Sequence, residues 1–312
     1  MKVTVPSFAK LNLDLRVLHK RSDGYHELRT IFQTISLKDT LTVECEIAKR
    51  SQIELTSSID IEDNLVVRAA RLVLETLKVS AWLRFTLLKR IPMGAGMGGG
   101  SSNAAAVLIA LPALIGTLTG KRIPLTELVR LAESLGADIP FFLCGGTALG
   151  LGRGSELYPL PELPSYPAVV VAGGIHVSTA EAYQSLNRTL TWTPKSNILR
   201  EFQTIAWNLE APTLGRFALK NDFEEAVFGM HPQLAGFVRK LRRFGAKPAL
   251  MTGSGSAVFG IFSSQATAEA AVHGFPAGIA HPVRFVSRRK YRAAWRKALG
   301  PAAEASCLVP QY

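Results

Sequence analysis

The alternation of apolar and polar residues between Phe8 and Val17 is the most regular pattern in the chain. Ala9, Leu11, Leu13, Leu15 and Val17 are apolar, and Lys10, Asn12, Asp14 and Arg16 stand between them. A period of two predicts a half-buried strand and places Lys10 and Asn12 side by side on its solvent-facing surface. Asp23-Gly24 is a turn signal, so the chain reverses before Tyr25 and His26. Strand-like segments follow near 30–35, 39–45 and 82–88, with a helical pattern over 64–77.

A glycine-dense stretch from Pro92 to Gly100 leads into Ser101-Ser102-Asn103 and an alanine-rich apolar run. Small polar residues ahead of such a run predict a helix start capped by serine or asparagine, and Pro112 is expected to kink or end that helix. An amphipathic helix is expected over 125–135, stopped by Gly136, after which Asp138 precedes Ile139-Pro140. Prolines at 159, 161, 164 and 167 mark a boundary, giving expected domains 1–158 and 159–312. Beyond it lie an apolar strand at 168–172, helical patterns at 179–186, 223–228 and 232–244, and a strand–turn–strand at 249–262. Strands mixed with helices in both halves indicate an α+β protein of two lobes.

Composition sharpens this only in part. The 312 residues exceed the usual size of one domain, and 47% hydrophobic with 19% charged residues is ordinary for globular cores. Lys and Arg outnumber Asp and Glu by 36 to 24, a formal charge of +12 that favours anionic partners. Much of the excess lies late, at Arg284, Arg288, Arg289, Lys290, Arg292, Arg296 and Lys297, and reads as a C-terminal helix or tail rather than an active site. Cys45, Cys144 and Cys307 are far apart, which fits a reducing cytoplasm better than a disulfide framework. Lys10, Asp14 and Arg16 interrupt any signal-peptide core, and the apolar stretch 104–116 is too short to cross a bilayer, so no membrane association is expected. Oligomeric state stays open between monomer and homodimer.

Five of the seven residues from Gly94 to Gly100 are glycine. Without Cβ atoms a backbone can approach a ligand closely and aim several N–H groups into one hollow, and a following helix adds its positive end. The stretch therefore suits a phosphate, with Ser101 and Ser102 able to offer hydroxyls to phosphate oxygens or a magnesium ion. Gly94, Gly96 and Gly99 satisfy GxGxxG, but the acidic residue that a dinucleotide site requires is missing around 117–121. The Gly-Lys-Ser/Thr of a Walker A loop is missing too, as are the His-Arg-Asp and Asp-Phe-Gly parts of protein kinases.

The pattern from Pro92 to Asn103 resembles the second motif of the GHMP kinases, and Met251 to Phe259 resembles their third. Ala9 to Leu13, Asp23 to Leu28 and Asn221 to Glu224 are similar to the branch acting on a cytidyl-diphosphate methylerythritol. The resemblance implies an N-terminal lobe like domain 2 of ribosomal protein S5, a ferredoxin-like C-terminal lobe, ATP and Mg2+. It implies phosphate contacts from Pro92, Gly94, Gly96, Gly98, Gly99, Gly100, Ser101, Ser102 and Asn103, and a structural third-motif loop of Gly253, Ser254 and Gly255. Asp138 would be the catalytic base and Lys10 its partner, holding it ionised, although an aspartate before a helix is commonly a cap. Tyr25, His26 and Tyr183 would read the cytosine, Asn12 the methylerythritol hydroxyls, with Thr179 anchoring the same region. Ser102 is the only metal ligand suggested, and no dedicated carboxylate stands out.

Met97 stands where the family usually has leucine, and the basic C-terminal segment matches nothing assigned in it. Two other functions stay open: a GHMP kinase for another alcohol such as homoserine or mevalonate, and a basic nucleic-acid-binding protein. Basic residues do not interleave with aromatic ones as a stacking platform would need, so no nucleic-acid partner is expected.

Overall fold

A computed structural model describes residues 1–186 and 219–306, which leaves Cys307 outside the described residues. The alternating segment lies within β1 (Lys2–Lys20), which pairs antiparallel with β2 (His26–Ile47) from Lys2 opposite Glu44 to Lys20 opposite His26. The two strand-like segments at 30–35 and 39–45 are thus parts of one long strand. The free side of β2 pairs with β5 (Thr147–Gly152) over one half and β4 (Ala81–Leu88) over the other. Beside β4 runs β3 (Gln52–Ser57) in parallel, and β6 (Glu156–Pro159) extends β5, making a six-stranded sheet.

Helices α1 (Leu65–Leu77), α2 (Gly99–Thr119), α3 (Leu125–Leu135) and α4 (Ile139–Cys144) cover this sheet. Asn64 caps α1 by accepting from Val66 N at 3.0 Å. The cap of α2 is Gly98, at φ 69, not a serine or the asparagine, because Ser102 and Asn103 are turned into a buried network described below. Pro112 does not end α2, which runs on to Thr119. One missing backbone hydrogen bond is small beside the burial of Leu108, Leu111, Leu114 and Ile115 around it. At 21 residues this helix is long and apolar enough to cross a membrane, yet 83% of its apolar window is buried inside the protein.

The second lobe is built on β7 (Pro167–Val171), β8 (Ala249–Met251), β9 (Val258–Ile261) and β10 (Ala280–Arg284), all antiparallel, in the order β10-β7-β9-β8. Counted within the lobe, that is the 4-1-3-2 order of a ferredoxin-like sheet, as expected. Among the described residues its helices are α5 (Thr179–Ser185), α6 (Glu224–Met230), α7 (Pro232–Arg243) and α8 (Gln265–His273). Between the lobes Ala9, Leu11 and Leu13 of β1 pack with Leu250, Phe259 and Phe285. The apolar side of β1 is therefore covered by the second lobe, and its polar side is not solvent-facing either: Lys10 is 3% and Asn12 4% exposed.

The last described residues return to the first lobe. Helix α9 (Arg288–Leu299) and the 3-10 turn Gly300–Ala305 place Tyr291, Trp295, Leu299 and Ala302 in the core that α2 fills. Residues 288–305, expected in the second lobe, thus belong structurally with the first. Prolines mark where a chain leaves a domain but carry no sign of its return. The basic run is the outer face of this amphipathic helix, with Arg289, Lys290, Arg292, Arg296 and Lys297 exposed. Trp295→Ala should lower unfolding free energy by about 3–5 kcal/mol in denaturant titration; a loss below about 1 kcal/mol would show that α9 is not part of this core.

Candidate active site

A cleft of about 690 Å³ opens between the lobes, lined by β1, β2, the glycine-dense loop, the start of α4, α5 and the turn after β8. Lys10 reaches into it from β1. Its Nζ donates to Asn12 Oδ1 at 2.5 Å, lies 3.2 Å from Asp138 Oδ2, and stands 5.4 Å from the centre of the Phe32 ring. A buried ammonium needs such partners, because an unpaired charge out of water is costly.

Asp138 sits at the cap position of α4, but its side chain makes no capping hydrogen bond and its φ of −81° and ψ of −15° are already helical. The common use of aspartate at this place is therefore not its use here. Its carboxylate is about one-third exposed and faces the cleft beside Lys10. Asn12 also lines the cleft, although its amide is engaged on every side. It accepts from Lys10, its Nδ2 donates to Thr30 Oγ1 at 2.7 Å, and its backbone N donates to Thr252 Oγ1 at 2.9 Å. Asn12 therefore orients Lys10 as much as it offers itself to a ligand.

The glycine-dense loop is gripped from the second lobe. Gly96 has φ 75, and a Cβ there would stand 2.3 Å from the Thr252 carbonyl oxygen; one on Gly253 would stand 2.8 Å from the Gly96 oxygen. The third-motif turn thus packs directly on the loop, with Ala257 N donating to Ala95 O at 3.2 Å. Asn221 braces that turn by donating to Met251 O and Gly253 O at 2.9 and 2.8 Å. Thr179 and Ser254 share a hydroxyl contact of 3.0 Å at the cleft edge, while Gly255 packs against Met251 behind it.

Not every expected phosphate residue faces the cleft. Gly96, Gly98 and Ser101 line it; Pro92, Gly94, Gly99 and Gly100 do not. Ser102 and Asn103 point away into a buried network. Ser7 Oγ donates to Ser102 Oγ at 2.8 Å, and Asn103 Nδ2 donates to Ser7 Oγ at 2.8 Å and Asp39 Oδ2 at 2.9 Å. Lys89 pairs with Asp39 and donates to Asn103 Oδ1 at 3.0 Å. Asp39 also accepts from Arg90 N and Ile91 N at 2.6 and 2.8 Å, which fixes the chain entering the loop. Ser102 is thereby removed as a cleft-facing metal ligand. Its neighbour Ser101 has the accessible hydroxyl.

The far end of the cleft is aromatic. His26 stacks on Tyr183 with ring centres 4.7 Å apart, and Tyr183 meets the edge of Phe223 at 4.8 Å. Burial, and then the Lys20 ammonium, hold the His26 imidazole below its ordinary 6.5, so it is neutral near pH 7. Burial pushes the Tyr183 hydroxyl up to about 12, with the Asp138 carboxylate adding to the rise, so it stays a donor. Tyr25 is 52% exposed at the mouth, and the Arg153 guanidinium lies 3.6 Å from its ring centre. Arg153, Thr30 and Phe32 escaped the sequence reading, and Thr252 was covered only as part of the third-motif segment. Of the three that escaped, Arg153, between two glycines, carries a local signal.

Comparisons with known proteins give the family. A model of the GHMP kinases N terminal domain matches residues 64–146, and one of the GHMP kinases C terminal matches 205–280. A 4-diphosphocytidyl-2-C-methyl-D-erythritol kinase of Solibacter usitatus is 50% identical over 298 residues, 94% of this chain and 92% of that protein. One of Moorella thermoacetica is 40% identical, covering 85% of this chain and 92% of its own. A crystal structure of 4-(cytidine 5'-diphospho)-2C-methyl-D-erythritol kinase superposes with a TM-score of 0.72 at 36% identity, covering 91% of this chain and 99% of that one. Homoserine kinase from Cytophaga hutchinsonii, at 20% identity and a TM-score of 0.68 over 92% and 95% of the two chains, shares the fold.

The interlock of loop and turn is testable. Gly96→Ala should raise the KM for ATP on the order of tenfold or more and lower stability by about 1–3 kcal/mol, since the new methyl meets backbone on the other lobe. Unchanged kinetics and melting temperature would show that the two segments do not interlock.

Proposed function

Because the chain belongs to the GHMP kinases, and within them to the 4-diphosphocytidyl-2-C-methyl-D-erythritol kinases, we propose that its cleft transfers the γ-phosphoryl of ATP to the 2-hydroxyl of that cytidyl compound. The reaction is a step of the non-mevalonate route to isoprenoid precursors and takes place in the cytoplasm. The observation that carries this reading is the Lys10–Asp138 pair, 3.2 Å apart beside the Gly96–Ser101 backbone, with Asp138 free of any capping duty.

The substrate hydroxyl lies against the Asp138 carboxylate. As its oxygen bonds to the γ-phosphorus, the bond from that phosphorus to the β–γ bridging oxygen breaks, ADP leaves and the proton passes to Asp138. Lys10, held by Asn12 and Asp138, still has a donor to place on the transferring group, whose charge it stabilises in a partly water-excluded site. Backbone N–H groups from Gly96 to Ser101 and the start of α2 receive the triphosphate. A second hollow of about 310 Å³, lined by residues including Thr56, Ser57, Asp60 and Asn64, has room for the nucleotide base. Asn64 in its wall is followed by Leu65, which lies 3.7 Å from where a Cβ on Gly100 would stand.

Among the described residues no group of three or more His, Cys, Asp or Glu could hold a metal. The donors facing the cleft, Ser101 Oγ and the Asp138 carboxylate, fit a Mg2+ held mainly by ATP oxygens; when bound it supplies charge neutralisation on the phosphates. Tyr25, His26 and Tyr183 take the cytosine: a neutral His26 has both a donor and an acceptor for a base edge.

A substrate panel tests the reading. Phosphorylation at the 2-hydroxyl of the cytidyl compound is expected; turnover of homoserine or mevalonate without it rejects the assignment. Asp138→Asn should lower kcat by a factor on the order of 100 or more while leaving ATP affinity nearly intact. Near-normal turnover would remove Asp138 as the base.

A further inference from the structure

Among the described residues, the cleft has a cation with no carboxylate partner. Among the described residues that line it, Lys10 and Arg153 are the two permanent cations, and Lys10 is committed to Asn12 and Asp138. Arg153 makes no ion pair with a described residue. The carboxylate nearest in influence, Asp23, is held by Arg21 at 3.1 Å. Burial works to raise the Asp23 carboxyl, but the Tyr25 N–H, Arg21 and the more distant Arg153 outweigh it and keep Asp23 below its ordinary value.

The placement of Arg153 is built. It occupies the turn between β5 and β6, flanked by Gly152 at φ 66 and Gly154 at φ 96, and Gly154 N closes the turn on Leu151 O at 2.9 Å. The face of its guanidinium lies on the Tyr25 ring, with 3.6 Å to the ring centre. A guanidinium uses its face for stacking and its edge for hydrogen bonds, so the in-plane N–H donors stay available. Edge donors in a fork fit phosphate oxygens.

We propose that Arg153 binds the diphosphate of the cytidyl substrate while its face holds Tyr25 in position, so that it sets the preference for a nucleoside-diphosphate-linked alcohol over an uncharged one. This rests on the substrate proposed above. A diphosphate brings negative charge that must be met in a cleft whose other cation is already shared. Arg153 meets that charge and also preorganises the aromatic ring next to the base.

The test combines kinetics with binding of cytidine, CMP and CDP, using the full chain and the Arg153→Gln and Arg153→Lys variants. Arg153→Gln should raise the KM for the cytidyl substrate about tenfold and leave the KM for ATP within about twofold. It should weaken CDP binding about tenfold and cytidine binding by no more than about threefold, with Arg153→Lys recovering only part of the loss because charge is kept but the fork and the stacking face are not. Equal weakening of CDP and cytidine would reduce Arg153 to a prop for Tyr25 and overturn the proposal, as would an unmoved KM. If the wild-type chain does not turn over the cytidyl compound, the substrate assignment fails on its own; calorimetry then still decides on Arg153, and CDP binding no tighter than cytidine rejects it.

Discussion

A buried ammonium group organises this molecule. Lys10 is 3% exposed, and the cost of taking its charge out of water is met by groups from separate parts of the chain: Asn12 on its own strand, Asp138 at the start of α4 and the Phe32 ring on β2. Thr252, from the turn after β8, binds the Asn12 backbone at 2.9 Å and so ties the second lobe into the same chain of contacts. The direct partners of Lys10 all belong to the first lobe, and the second lobe braces one of them, Asn12, through Thr252. The Lys10–Asp138 pair is thus set within the first lobe and steadied from the second.

The glycines serve the same assembly. A Cβ at Gly96 or Gly253 would collide with backbone of the other segment, and one at Gly98 would stand 2.9 Å from Phe142. The loop is bare of side chains at these points first because protein packs there. A loop held this closely presents its N–H groups in fixed directions, which is what electrostatic binding of a triphosphate needs. Behind it the Asp39–Lys89–Asn103–Ser7–Ser102 network locks the entry to the loop and the first turn of α2. A buried polar network of this kind rewards complete satisfaction and penalises any missing member.

The positive charge divides into two uses. Lys10 and Arg153 sit in the cleft, while the basic run on α9 covers a helix whose other face, Tyr291 and Trp295, is locked into the first-lobe core. Long cationic side chains on the outer face of an amphipathic helix keep it solvated without entering the chemistry. Net charge alone pointed to an anionic ligand without distinguishing these two places.

Local order was written in the residues themselves. Asn64 before an amphipathic run, Gly136 after one, Asp23-Gly24 at a reversal and apolar alternation along β1 each act over a few residues, and each element formed where its pattern stood. The glycine stretch and the Asn221–Glu224 segment likewise carried the family and with it the fold. What pattern could not decide was the identity of the second neighbour. Alternation says that Lys10 and Asn12 share a side of a strand, but burial on that side depends on α4 and a distant turn closing over it. Ser102 and Asn103 stand in a phosphate motif, yet whether a side chain on a helix's first turn faces ligand or core is set by rotation of that helix against β1. Trp295 returns to the first lobe, and Arg153 meets Tyr25 across 128 residues of chain, because packing joins surfaces that sequence distance separates.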